Sequence, residues 1–517
     1  MRLFPCLAAR SPAWRDTAVL CLGLVFSGCG KDEAMRVTAE GPEEVEIPTV
    51  EIVEETGPAR PPLGVPMPSP QSMMPDLPGT GGPSVMAPLG ESPVLVQQAR
   101  TIVKFPEKPK DAAPTWSRYR GPYYNGLSHE TGLVSGFTRS GPKFLWRQRV
   151  GVGFSSLAVA DGKVYTMGNG GDVDAVFCLD ALTGEVVWRS GYPADLGSGR
   201  YEGGPSATPT VHEGRVYVLS KNGELLCLNG RTGKTVWMKN VTEHTGAKSP
   251  RYGFAGSPLV VDHQVIVNAG AAGCAFHKDT GELLWFTKGV GGYASPIPFQ
   301  LGGRPAILLF GEQNILAVDP KGSGRGLWSH PWKTEENVNA ADPVIVGDRI
   351  FVSSGYRAGC ALFRLDDGKL RHIWHSRAIS SHFNPAVVVG HYAYGFDGQA
   401  GDRAKDSLVC VSLGEGRRTW VRYGFGFGSL IGADGKLFVL TELGELIILE
   451  ANPHAFTELG HARILGRRCW TSPALSDGLL YARNAGGRVV CVDLREKQPE
   501  VQELAQAERG KKSKPAN

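Results

Sequence analysis

The sequence predicts an all-β chain, an eight-bladed β-propeller of four-stranded blades, with seven blades as the alternative count. Three observations predict it. Trp146, Trp188, Trp237, Trp285, Trp328, Trp374 and Trp420 recur at spacings of 42, 49, 48, 43, 46 and 46 residues, a period that marks a propeller or a repeat array. A phrase ending on the Trp is repeated, as in Leu179-Asp180-Ala181-Leu182-Thr183-Gly184-Glu185-Val186-Val187-Trp188, Leu228-Asn229-Gly230-Arg231-Thr232-Gly233-Lys234-Thr235-Val236-Trp237 and His277-Lys278-Asp279-Thr280-Gly281-Glu282-Leu283-Leu284-Trp285. Upstream of each, short β-branched runs are divided by turn dipeptides such as Glu213-Gly214, which is hairpin chemistry.

Taken in chain order, the first element is a targeting segment over 1–28. Arg2, Arg10 and Arg15 precede an apolar stretch from Ala18 to Phe26, followed by Ser27-Gly28-Cys29. This pattern is that of an export signal and resembles a bacterial lipoprotein signal, a resemblance that implies lipidation at Cys29. The expected location is then the bacterial cell envelope, lipid-anchored on the periplasm-facing side of the outer membrane. Residues 29–113 carry an acidic stretch and then a Pro-rich one, with too little apolar material to offset ordering, and are expected to form a disordered tether. No run of 18 apolar residues indicates a membrane-spanning helix.

The propeller is expected over 114–495. Inner strands begin near Ser155, Ala207, Gly256, Ala294, Ala341, Asn384, Gly428 and Ser472. The glycines of the Thr-Gly turns, Gly184, Gly233 and Gly281, supply positive φ. The seventh outer strand has Ile464 where a Trp is expected, and the last repeat stops at Cys491-Val492-Asp493-Leu494 without an outer strand. Trp146 precedes any inner strand, so an N-terminal strand over 143–150 is expected to close the last blade and remove the open sheet edges. The tail, 496–517, is charged and expected to be disordered.

Composition bounds function only loosely. A formal net charge of +4 with no basic stripe inside the repeats excludes nucleic acid as an expected partner. Cys178, Cys227, Cys410 and Cys491 share one third-strand position in four blades, too far apart for bridges, and read as small buried hydrophobes. His372 and His375 flank Trp374 on a strand, where positions three apart face opposite sides. No metal site is expected.

The Leu-Asp-Ala-x-Thr-Gly-x-x-x-Trp phrase resembles the docking motif of the pyrroloquinoline-quinone (PQQ) type repeat, and the lead-in Trp116-Ser117-Arg118-Tyr119-Arg120-Gly121-Pro122 with Asn125-Gly126 is similar to that of the same propeller group. With the signal segment, the chain resembles the BamB-like lipoproteins and other PQQ-like propellers. The BamB-like resemblance implies a monomeric, non-catalytic scaffold that binds an envelope protein, a peptide or a small ligand, with no cofactor. The alternative is a PQQ-dependent quinoprotein oxidoreductase, which implies PQQ with calcium. The adjacent cysteine pair of its alcohol-oxidising branch is absent from this sequence.

Segments joining one blade's outer strand to the next inner strand crowd one mouth of a propeller's channel. Here they hold Phe154, Arg200, Tyr201, Glu202, Arg251, Tyr252, Tyr293, Asn337, His382, Phe383, Asn384, Phe427, Arg468 and Trp470. Aromatic and Arg side chains converging there have the composition of interface hot spots, and these residues are the expected rim-binding set. The same rings could instead cap the channel and fill gaps between blades.

Overall fold

The repeats fold as eight separate four-stranded antiparallel sheets around a hub, in a computed structural model that describes residues 116–496 apart from 198, 200, 322–323, 367, 400–405 and 467. The targeting segment, Cys29, the tether, the tail and Arg200 lie outside the described residues. Blades 1 to 8 start at inner strands Ala158–Ala160, Thr210–His212, Leu259–Val261, Ile297–Leu301, Val344–Val346, Val387–Val389, Ser429–Ala433 and Ala474–Ser476. Eight is therefore the blade count. A five-residue helix, Val241–Thr245, interrupts the passage from blade 2 to blade 3, capped by Asn240 and stopped by Gly246 in the left-handed region.

Blade 8 takes its outer strand from the front of the chain. Lys143–Arg149 pairs antiparallel with Arg488–Asp493, with Trp146 opposite Cys491 and Arg149 opposite Arg488. First and last repeats thus share one sheet, and neither leaves an open edge at the seam. Arg483 stitches the same seam from inside. Fully buried, it donates to the carbonyl oxygens of Ser155 (3.1 Å), Met167 (2.6 Å), Gly151 (3.1 Å) and Gly153 (2.9 Å) and to the Thr166 hydroxyl (3.0 Å).

Five of the seven repeat tryptophans dock onto the next blade through the indole N–H, which donates to a backbone carbonyl there: Trp146 to Ala181, Trp188 to Gly230, Trp237 to Lys278, Trp374 to Leu413 and Trp420 to Asn452, all at 2.9 Å. Trp285 instead donates to the Gln264 side chain of its own blade at 2.9 Å, and the Trp328 indole N–H is buried with no hydrogen bond among the described residues. The rings of Trp146, Trp188 and Trp237 lie under the glycine of the next Thr-Gly turn. A Cβ on Gly184 would come within 2.5 Å of Trp146, on Gly233 within 2.6 Å of Trp188, and on Gly281 within 2.8 Å of Trp237. These glycines serve close approach as well as positive φ.

A β-bulge lies directly before this docking position in every blade, leaving Val187, Val236, Leu284, Ile373 and their equivalents unpaired. An extra residue in one strand shifts the side-chain alternation. Two expectations are corrected by it. In blade 7 the docking position falls on Gly460, opposite Ile448, and not on Ile464. A Cβ on Gly460 would meet the Gly136 α-carbon at 2.8 Å, so the segment before the closing strand occupies the space a Trp would fill. In blade 5 the bulge at Ile373 pairs His372 with Phe363 and His375 with Ala361, putting both imidazoles on one face. With His330 and Trp332 they line a groove of about 250 Å³ between blades 4 and 5.

Seven cysteines of the propeller are buried free thiols. Four repeat one cross-strand triad, Tyr165–Cys178–Trp188, Tyr217–Cys227–Trp237, Tyr394–Cys410–Trp420 and Tyr481–Cys491–Trp146. The small thiol leaves room for Tyr and Trp to approach, with ring centroids 5.9–6.2 Å apart.

Candidate binding site at the hub

A residue before proline is driven to extended backbone, and proline itself offers no N–H. Thr208, Ser257, Ser295, Asp342, Asn384 and Ser472 each precede a proline at the start of an inner strand, with Ser156 and Ser429 at the equivalent points of blades 1 and 7. Several of these join one blade to the next. The amide of Ser156 donates to the Thr208 hydroxyl (3.1 Å), Thr208 to Ser257 (2.9 Å), Ser257 to Ser295 (3.1 Å) and Ser295 to the Asp342 carboxylate (2.8 Å). Ser156 Oγ donates to the Ser472 carbonyl at 2.6 Å, carrying the chain of bonds across the seam. Asn384 donates to the carbonyls of Gly428 (2.8 Å) and Trp470 (2.9 Å).

The lead-in crosses the hub below this wall. Trp116 exchanges backbone hydrogen bonds with Val159, Val211 donates to Ser117, and Ser128 and Gly126 bond Gly432. Arg120 donates to the Ala386 carbonyl at 2.7 Å and to Asn125 at 3.0 Å. One segment therefore ties blades 1, 2, 6 and 7 together, and its Tyr119 lines the cavity above. The channel becomes a cup of about 360 Å³ with the lead-in as its floor.

Of the expected rim residues, Phe154, Tyr201, Tyr252, Tyr293, His382, Phe383, Asn384, Arg468 and Trp470 line this one cup. Their rings form an almost continuous arc. Tyr293 lies 6.1 Å from Tyr252, Tyr252 6.4 Å from Tyr201, and Tyr201 5.7 Å from Phe154, which stacks on Trp470 at 5.7 Å. Phe383 follows at 5.3 Å from Trp470. Phe427 is fully buried behind Phe383, at 4.8 Å, and supports the arc from outside the cup. Glu202 pairs with Arg468 at 2.7 Å, and Arg251 with Glu336 at 2.8 Å, so Glu202 and Arg251 brace rim loops without lining the cavity. Asn337 is a turn residue at φ 55° and also stands outside it.

Sequence reasoning passed over Tyr119, the pre-proline hydroxyls, Tyr356 and Asp342. The signal for most of them was present, as a small polar residue before proline repeating with the blades. Asp342 is buried, which raises its carboxyl to about 6 against the lowering pull of Arg120 and the Ser295 amide. Burial likewise lowers the His382 imidazole to about 4, so it stays neutral at pH 7.

Calcium takes six to eight oxygen ligands, several of them carboxylates. Among the described residues this cup offers one carboxylate, that of Asp342, which accepts the Ser295 amide, and no cysteine lines it. No group of three or more His, Cys, Asp or Glu among the described residues could hold a metal ion. This donor set does not match a calcium–PQQ site.

Residues 175–422 match the family described as outer membrane protein assembly factor BamB. The chain is 27% identical over 297 residues to the BamB of Burkholderia pseudomallei (strain K96243), covering 48% of this chain and 74% of that protein. It is 28% identical over 246 residues to quinohemoprotein alcohol dehydrogenase ADH IIB of Pseudomonas putida, covering 42% of this chain and 32% of that enzyme. The match thus spans about a third of the dehydrogenase's length. Among solved structures, BamB from Moraxella catarrhalis superposes at TM-score 0.51 and 17% identity, over 69% of this chain and 99% of that one. The quinohemoprotein alcohol dehydrogenase of Comamonas testosteroni does so at 0.55 and 17%, over 75% and 81%. These two likenesses concern the fold alone.

Proposed function

We propose that this PQQ-like repeat, BamB-like propeller is a non-catalytic binding scaffold of the cell envelope, lipid-anchored through Cys29, whose hub cup receives an envelope protein, a peptide or a small ligand. The observation that carries this reading is the aromatic arc around a floored cup. Concave, largely apolar sites with a few convergent polar groups are where ligands bind, and clustered Tyr, Trp and Arg dominate binding energy at interfaces. A tether of 29–113 behind the anchored cysteine would let the propeller work at a distance from the bilayer.

Quinoprotein chemistry is the competing reading, carried by the similarity to quinohemoprotein dehydrogenases. Among the described residues the cup is lined by one carboxylate, Asp342, and by no cysteine, which weighs against it. Both readings are tested with the purified full chain. Given calcium and PQQ, it is expected to show neither bound-quinone absorbance nor dye-linked alcohol oxidation. In capture from solubilised envelope, a Tyr252→Ala/Trp470→Ala variant is expected to lose its partners. Quinone absorbance with turnover, or capture undiminished in that variant, contradicts the proposal.

A further inference from the structure

We propose that the hub cup takes an organic ammonium cation, held by the faces of its aromatic arc with the Asp342 carboxylate as counter-ion. This rests on the cup being the binding site and adds the chemistry of what enters it.

Aromatic rings are negative on their faces and attract cations within about 6 Å of the centroid. Two rings of this rim already hold one. The Arg468 guanidinium lies 4.3 Å over Trp470, and that of Arg251 lies 5.4 Å over Tyr252. Tyr201, Tyr293 and Phe154 continue the same arc.

The charges around the cavity favour a cation. Arg468 is offset by Glu202 at 2.7 Å. His382 packs on Tyr356 and Phe383, with centroids 5.1 and 5.0 Å away, and is held neutral by burial. Asp342 lines the cup and accepts the Ser295 amide, yet has no basic group within 4.0 Å among the described residues. The nearest guanidinium in charge terms, Arg120, acts on Asp342 from below without lining the cup; its Nη2 bonds the Ala386 and Asn125 carbonyls and its Nη1 makes no hydrogen bond among the described residues. The cup thus presents one carboxylate among the aromatic side chains of its wall. Ser295 links that carboxylate directly to the sector of Tyr293 and Tyr252.

The test uses the full chain titrated with choline and with 3,3-dimethyl-1-butanol, its uncharged carbon isostere, by calorimetry. Choline should bind at least about tenfold more tightly, the order of discrimination expected for several desolvated cation–π faces. Asp342→Asn should weaken choline about tenfold and leave the isostere unchanged. Because Asp342 also anchors the Ser295 amide, Tyr293→Leu provides a second variant, likewise expected to weaken choline selectively. Equal affinity for the two probes, or choline binding that neither variant alters, overturns the assignment. If choline fails to bind while Trp470→Ala still abolishes partner capture, the cation falls and the cup remains the binding site. If choline binds as predicted while capture is unaffected, the partner-binding reading falls and the cation stands.

Discussion

The indole of Trp146 lies so close under Gly184 that a single methyl group on that glycine would sit 2.5 Å from the ring. Trp146 belongs to the strand from the front of the chain that closes blade 8, and Gly184 to the Thr-Gly turn of blade 1. Their contact joins the wheel at its seam. Its indole N–H adds a bond to the Ala181 carbonyl at 2.9 Å.

Trp146→Ala should therefore lower stability by about 3–5 kcal/mol, the usual cost of emptying a buried aromatic site. Gly184→Ala combines a clash with φ +74° and should cost about 1–3 kcal/mol. Urea unfolding of both variants checks this. A change below about 0.5 kcal/mol in Trp146→Ala would contradict closure at this seam.

Arg483→Met should also act on the seam. It strips five hydrogen bonds from buried carbonyl and hydroxyl acceptors, and unsatisfied buried acceptors cost about 1–3 kcal/mol each before relaxation. The expected net loss is about 2–4 kcal/mol, read from the denaturation midpoint at unchanged slope.

The propeller thiols should be inert in the folded state. Burial raises Cys178, Cys227, Cys360 and Cys410 to about 11 and Cys469 and Cys491 to about 12, while Cys274 is pushed up as well. The thiolate is the reactive form. At pH 8 a thiol-reactive chromophore should label none of the seven quickly and all of them once the chain is unfolded. Rapid labelling of a native propeller cysteine, located by peptide mapping, would contradict the packing described.

Asp342 gives a pH signature. Its carboxyl is raised in the folded chain from 3.8 to about 6, so between those values the folded state holds more protons than the unfolded state. Stability from this group is present at low pH and is lost as pH rises through about 6. A shift of this size corresponds to an upper limit of about 3 kcal/mol. Asp342→Asn should accordingly gain on the wild type at pH 7.5 and lose that advantage near pH 4. A difference between the two proteins that does not change with pH contradicts the buried-carboxylate account.

How much of this was legible in the sequence depended on whether the signal was local. Trp188 with Gly184, and Trp237 with Gly233, are tied by a repeated phrase, so the blades and the closing strand could be read directly. The bulges could not, because an unpaired Val187 or Ile373 looks like any strand residue until its partner strand is known. That is why the docking position of blade 7 falls on Gly460 and why His372 and His375 share a face. Rim loops were legible through their aromatics, since Phe154, Tyr201, Tyr252 and Trp470 each stand in a segment that leads into an inner strand. Arg251 and Glu202 were indistinguishable from lining residues, because their ion pairs reach across the rim to distant loops. Tyr119 and Asp342 depend on the lead-in crossing the hub, a contact between segments more than 200 residues apart.

The most direct test of the hub as the binding site is photocrosslinking from single positions in envelope-bound full chain. A photoreactive phenylalanine at Tyr252, inside the cup, should capture a partner or be protected by a bound ligand, whereas one at Val236, exposed on the outer edge of blade 2, should do neither. Capture from Val236 with none from Tyr252 would contradict the account and move the binding surface to the rim of the wheel.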